Sequence, residues 1–345
     1  MRYPLLCALV LGLPLRAAEV TPLHLDGLLQ PQVAIGADGS VQVVGVTPDN
    51  GGSDVVYRKR GADGVFSAAR MVNDQPKAAT CIGTIRGARF ALGRDGSVQV
   101  AWNGRDGKSF WYSRDLAPAR NLLMAGDAVD GGGAIAADAT GRVVIAYHHQ
   151  AGATSDEGRR IAAVRSDDDG VTLSAARAVT LPAAGVCGCC SLAAGLDGQG
   201  RLELLVRNAA QGSRDMWFVT GDGQAKPIGP WRIAMCPMST AAIVHAGAAT
   251  YLAWEQGEQV WWCQVGRAPV ALGKGKYPAL AVDGAGTVLV AWAVGTGWNR
   301  GGSVRWQAYD GNGAVSGAVG NQAGLAAWGA PGVFAEGNER FVVLW

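Results

Sequence analysis

The chain has 345 residues, enough for one large domain or two smaller ones. Its net charge is only +2, so nucleic-acid binding has no electrostatic support. With 17% charged residues and 51 glycines, the composition suits many short strands joined by tight turns rather than long surface helices.

The N-terminus reads as a signal peptide over residues 1–18. Arg2 supplies the positive end, Leu5 to Leu15 a short apolar core, and Ala17 and Ala18 the small residues at a cleavage point. That core is too short to span a bilayer, and no second run of spanning length follows, so no membrane span is expected. The expectation is a secreted or periplasmic protein whose mature domain is residues 19–345. Loss of Cys7 with the leader leaves Cys81, Cys187, Cys189, Cys190, Cys236 and Cys263, an even count that permits disulfides in an exported chain.

From residue 31 onward one phrase recurs: an apolar strand, a turn with Asp and Gly, and a second apolar strand. It begins at Pro31, Ala88, Ala134, Ser191, Ser239 and Pro278, and a last copy, GVFAEGNERFVVLW, closes the chain. The spacing of roughly 40–60 residues fits four-stranded propeller blades. Third strands follow as DVVYRKR, SFWYSRD, RRIAAVRS and DMWFVTG. The fold expected is all-β, a single β-propeller of seven blades, with six as the alternative count. The seventh repeat has only two strands before Trp345, so the segment Val20 to Leu29 is expected to add the missing outer strand and close the ring.

SDDDGVTL, Ser166 to Leu173, matches the Asp-box pattern S-x-D-x-G-x-T-[WF] except at Leu173, and Tyr57 to Phe66 is a degenerate copy. With the strand phrases, these segments resemble the sialidase-like (BNR/Asp-box) propeller superfamily along nearly the whole mature length. The segments Gly185–Cys190, Arg214–Met216, Cys236–Ser239 and Ala253–Glu255 resemble an exported bacterial subgroup of it. The resemblance implies that the box ties a hairpin turn between outer strands. It also implies sialidase chemistry: three arginines on a carboxylate, a Tyr–Glu nucleophile pair and an Asp acid/base. The chain departs from this pattern, with no FRIP-like arginine motif near its N-terminus and no assignable Tyr–Glu pair.

Propeller topology puts the Asp/Gly turns on one face and the loops flanking the two inner strands on the other. The unusual residues gather on the second face, near the axis, where propellers bind ligands. Arg86, Arg160, Arg207 and Arg214 suit an anionic group or, alternatively, ion pairs that brace neighbouring blades. Asn103, His148, Asn208 and Trp298 are further ligand-binding candidates. His148 also offers a general base, and Trp298 a sugar-stacking surface. Glu157, Asp215, Glu255 and Asp130 are the candidate catalytic carboxylates, since glycoside hydrolysis needs two flanking the bond.

Cys187, Cys189 and Cys190 precede the fourth repeat, and Cys236 and Met238 the fifth, so these loops should lie side by side. They can form disulfides, for instance one joining Cys189 or Cys190 to Cys236, or hold a soft metal: copper with Met238 or Met216, zinc with thiolates alone. The leading functional reading is a propeller that binds or hydrolyses an acidic or complex glycan at its axial mouth, with a glycan or other small anionic ligand as partner. The alternatives are a non-catalytic glycan- or protein-binding propeller and a periplasmic copper/zinc-binding or redox protein.

Overall fold

A computed structural model describes residues 17–123, 129–150, 152–181 and 185–345. The signal-peptide expectation over residues 1–16 therefore lies outside the described residues. Seven antiparallel hairpin-linked sheets follow one another along the chain. Their innermost strands are Leu29–Ile35, Arg89–Leu92, Ala134–Ala137, Ala193–Leu196, Ala241–Ala246, Lys276–Val282 and Gly332–Gly337. Each packs against the next in that order, and the last packs against the first, so the sheets form a closed ring. The protein is a seven-bladed β-propeller, numbered here as blades 1 to 7. The six-bladed alternative is set aside.

Six blades have four strands and the seventh has three. Its third strand is Glu19–Leu23, which pairs parallel with Arg340–Leu344, register Glu19 to Arg340 through Leu23 to Leu344. Glu19–Leu23 and the last two strands thus share one blade.

The second strands are the most deeply buried, because each blade is sandwiched between two others. Val41–Val46, Val98–Asn103 and Leu202–Arg207 are buried at every position. Both faces of such a strand meet a neighbouring blade, so near-continuous apolar runs replace simple alternation. Trp102, Trp254 and Trp292 end second strands and fill the gap to the preceding blade.

The Asp/Gly turns work as their chemistry dictates. Asp38, Asp138, Asp197 and Asp283 each accept a backbone N–H from two residues on. Gly39 and Gly286 take positive φ of 76° and 86°, which a side chain would disfavour. In Ser166–Leu173 the Asp168 carboxylate accepts the Thr172 N–H at 2.9 Å and the Thr172 hydroxyl at 2.7 Å. The Ser166 hydroxyl accepts the Gly170 N–H at 2.8 Å. These bonds tie the turn after the third strand of blade 3. Neighbouring Asp169 reaches blade 2 through the Arg94 N–H, the Ser97 hydroxyl and Arg114.

Candidate functional site

The face opposite the Asp/Gly turns carries every candidate residue named above. A repeating device organises it. The residue ending a second strand reaches the loop that leads into the next blade. Asn103 Nδ2 donates to the Gly131 carbonyl at 3.1 Å. His148 Nε2 bonds the Cys190 carbonyl at 2.9 Å. Arg207 donates to the Ser239 hydroxyl at 3.1 Å and the Glu255 carbonyl at 2.6 Å. Glu255 Oε1 lies 3.8 Å from Lys276 Nζ. These four hydrogen bonds and one ion pair brace blades 2 to 6 in sequence.

Burial sets the charge states here. His148 is pushed down to about 4 by burial, so it is neutral, and Nε2 must carry the proton because a carbonyl only accepts. Its Nδ1 has no partner. Glu255 is 1% exposed and is pushed up to about 8 by burial, which outweighs the opposing pull of Lys276 and Arg207. Its Oε2 is unpartnered. A buried carboxyl held protonated near neutral pH is a site candidate, although His148 and Glu255 are both closed off from solvent.

The remaining candidates divide by partner. Arg86 grips Asp130 through its carbonyl at 2.9 Å and its carboxylate. Arg214 pairs with Asp156 at 3.4 Å. Asp215 accepts the Trp231 N–H at 2.7 Å, and Asn208 accepts the Asp215 N–H at 2.6 Å. Glu157 and Arg160 are exposed; the Glu157 carboxyl lies below its usual range through hydrogen bonds to its own backbone and Ser155. Trp298 is 63% exposed and meets Trp328 edge-on at 6.4 Å, in blades 6 and 7, away from the arginine-rich side.

Two openings lie on this face. The axial channel, about 200 Å³, is lined by the innermost strands with Gln30, Thr84, Arg89 and Tyr277. Arg89 flanks this void, and desolvation lowers its pKa to about 10. Beside the axis, a cleft of about 550 Å³ between blades 1, 2 and 3 is lined by Asp49, Arg86, Asn103, Arg105, Asp106, Asp130, Gln150 and Arg159. It continues outward over Arg105 and Asp106 to a shallower depression of about 420 Å³ with Lys77 and Trp111. Arg105, Asp106, Asp49 and Trp111 were not foreseen from sequence. Gly104–Gly107 reads as one more Asp/Gly turn, and only its place after a second strand puts it on this face.

Behind the cleft, Arg159 lies across Gly188 and pairs with Asp156 at 3.0 Å. Gly188 belongs to the cysteine loop. Cys189 and Cys236 form a disulfide joining blades 4 and 5. Cys187 and Cys190 are free and buried, so the corner holds one disulfide and a dithiol. Burial opposes ionisation of Cys190, but a hydrogen bond from Cys187 and the Arg207 charge outweigh it and hold its thiol below the usual thiol range. Cys187 is pushed up, by that same bond and by burial. Cys81 and Cys263 are free, buried and apart from this group.

No family model matches the chain, and no curated protein matches it in sequence. Among solved structures it is similar to the Penicillium chrysogenum alpha-L-arabinanase complexed with arabinobiose, at 12% identity and TM-score 0.55, over 84% of this chain and 94% of that one. It is also similar to the six-bladed fucose-recognising lectin of Aleuria aurantia, at 13% identity and TM-score 0.53, over 88% of this chain and 98% of that one. At this identity the likeness speaks to the propeller fold.

Proposed function

We propose that the protein is an exported glycan-binding propeller whose ligand lies in the cleft between blades 1, 2 and 3. The observation that carries this reading is the lining. It combines Arg86, Arg105 and Arg159 with Asp49, Asp106 and Asp130, and adds Asn103 and Gln150. Three positive and three negative side chains balance, which suits a hydroxyl-rich ligand better than a strongly anionic one. Planar guanidinium and carboxylate groups bind neighbouring hydroxyls in pairs. The outward extension adds the half-buried Trp111 indole, a flat apolar face of the kind sugars stack on. The cleft and its outward extension together suit an oligosaccharide rather than one sugar unit.

The two structural neighbours act on or bind sugars by their descriptions, which favours the same class of ligand here. The Asp-box-like turn in blade 3 supports membership of the sialidase-like group, and the leader-like N-terminus and the disulfide support an exported protein. Binding is the reading preferred over hydrolysis, since Asp49 and Asp106 are engaged in their own turns and Asp130 is held by Arg86.

The test is a glycan array on the purified protein, followed by calorimetry on the best ligand and a panel of chromogenic glycosides. Arg105→Ala and Trp111→Ala should each weaken binding at least about 10-fold, the equivalent of one or two lost hydrogen bonds or a stacking face, with little change in melting temperature. Absence of glycan binding, or binding indifferent to both substitutions, removes the cleft from consideration. Turnover of a glycoside would replace the binding reading with an enzymatic one.

A further inference from the structure

The four sulfurs at the blade 4–5 corner are arranged around one of their number. Cys187 Sγ lies 3.4 Å from Cys189 Sγ, 3.5 Å from Cys190 Sγ and 3.5 Å from Cys236 Sγ. Four thiolates on one tetrahedral ion at about 2.3 Å have neighbouring sulfurs about 3.8 Å apart, a few tenths of an ångström from these separations. The Cys187, Cys189 and Cys190 sulfurs together form a potential three-ligand group. Ile85 and Met238 pack against the cluster, and the Asp156 carboxylate, paired with Arg159 and Arg214, lies within 4.8 Å of the Cys187 and Cys236 sulfurs at its rim.

The electrostatics ask for negative charge at this spot. Arg207 is 1% exposed and permanently charged, yet its acceptors are neutral: the Arg214 and Glu255 carbonyls and the Ser239 hydroxyl. Its Nε has no partner. The Ser239 hydroxyl lies 4.0 Å from Cys190 Sγ, one hydroxyl away from the cation. A buried guanidinium without a counter-ion is costly, and a thiolate cluster behind that hydroxyl supplies one.

The geometry points to a redox-gated site for a single thiophilic d10 metal ion, copper(I) or zinc(II), assembled from Cys187, Cys189, Cys190 and Cys236 when the Cys189–Cys236 disulfide is reduced. A dithiol reductant delivers two electrons and two protons. The S–S bond breaks, Cys189 and Cys236 become thiols, and the reductant closes its own disulfide. The ion then displaces the thiol protons, which pass to solvent. In the oxidised form only two free thiols remain, and the site is incomplete. Simple exchange within the cluster is disfavoured. Cys187 stands equally far from both bonded sulfurs, side-on to the bond it would have to attack along its axis. Cys236 is the exposed member, through which both reductant and ion reach the buried three. The packed Met238 thioether favours copper(I) over zinc(II).

The test uses the whole protein, reduced with a phosphine under anaerobic conditions or left oxidised. It is titrated with copper(I) against a colorimetric chelator and, separately, with zinc(II) against a metallochromic dye. The reduced protein should retain one ion per chain, and the oxidised protein, short of two ligands, should bind more than about 100-fold more weakly, beyond the loss typical of an outer-shell partner. Zinc(II) retained at the same ratio also supports the site. Cys187→Ser should cost more than about 100-fold in affinity, beyond the loss typical of an outer-shell partner. Cys236→Ser, at the exposed rim, repeats the test where Cys187→Ser fails to fold, and Cys263→Ser should leave binding unchanged. The inference is overturned if the reduced protein retains neither ion, if oxidised and reduced forms bind alike, or if Cys236→Ser binds like the parent.

Discussion

Replacing Glu255 by Gln tests the reading of the inter-blade braces. The carboxyl is buried and carries an unpartnered Oε2, and burial raises its pKa from 4.5 to about 8. A group whose folded pKa is raised favours the fold in its protonated state. Its contribution is fully present below pH 4.5 and is lost as pH climbs through about 8. The full shift corresponds to a ceiling of about 5 kcal/mol. Relaxation and water entry around a buried charge reduce this to about 2–3 kcal/mol. Gln cannot ionise, so Glu255→Gln should differ little from the parent at pH 5 and gain about 2–3 kcal/mol on it by pH 9. Urea unfolding of both proteins under non-reducing conditions at a series of pH values measures the difference, and titrations common to both cancel. A stability difference that stays flat from pH 5 to pH 9 would refute the argument. It would mean that Lys276, 3.8 Å away, keeps Glu255 ionised throughout.

Two further predictions concern the braces and the turns. A Cβ added at Gly131 would sit 2.5 Å from the Cys190 carbonyl oxygen and 2.7 Å from that of Gly188, both backbone atoms, so Gly131→Ala should cost about 1–3 kcal/mol. Thermal melting measures it, and an unchanged midpoint would show that the corner yields easily. Asp168→Ala removes the acceptor for the Thr172 N–H and hydroxyl in an exposed turn, so the urea midpoint should fall slightly with an unchanged slope.

Much of this was readable in the residues. The recurring strand–turn–strand phrase set the blade count, because each copy must bury both faces against neighbours. The truncated last repeat pointed to closure by the N-terminal segment. Its parallel pairing was not legible, since strand direction depends on where the chain enters the ring. Topology alone also placed Arg86, His148, Arg207, Cys189 and Glu255 on one face. What each does there was hidden. Asn103 and His148 are strand-end residues whose partners are backbone carbonyls of the next blade, and no side-chain pattern marks a carbonyl. The cleft escaped notice for a related reason. Arg105 and Asp106 sit in a dipeptide that looks like any Asp/Gly turn, and the concavity they line arises from the spacing of three blades.

The closing strand also governs the order in which the molecule can be made. Leu23 must lie beside Leu344, a partner separated from it in the chain by all the other blades. Six blades are each complete within one stretch of chain, but the seventh is not, and until Glu19–Leu23 and Arg340–Leu344 pair the ring stays open at one seam.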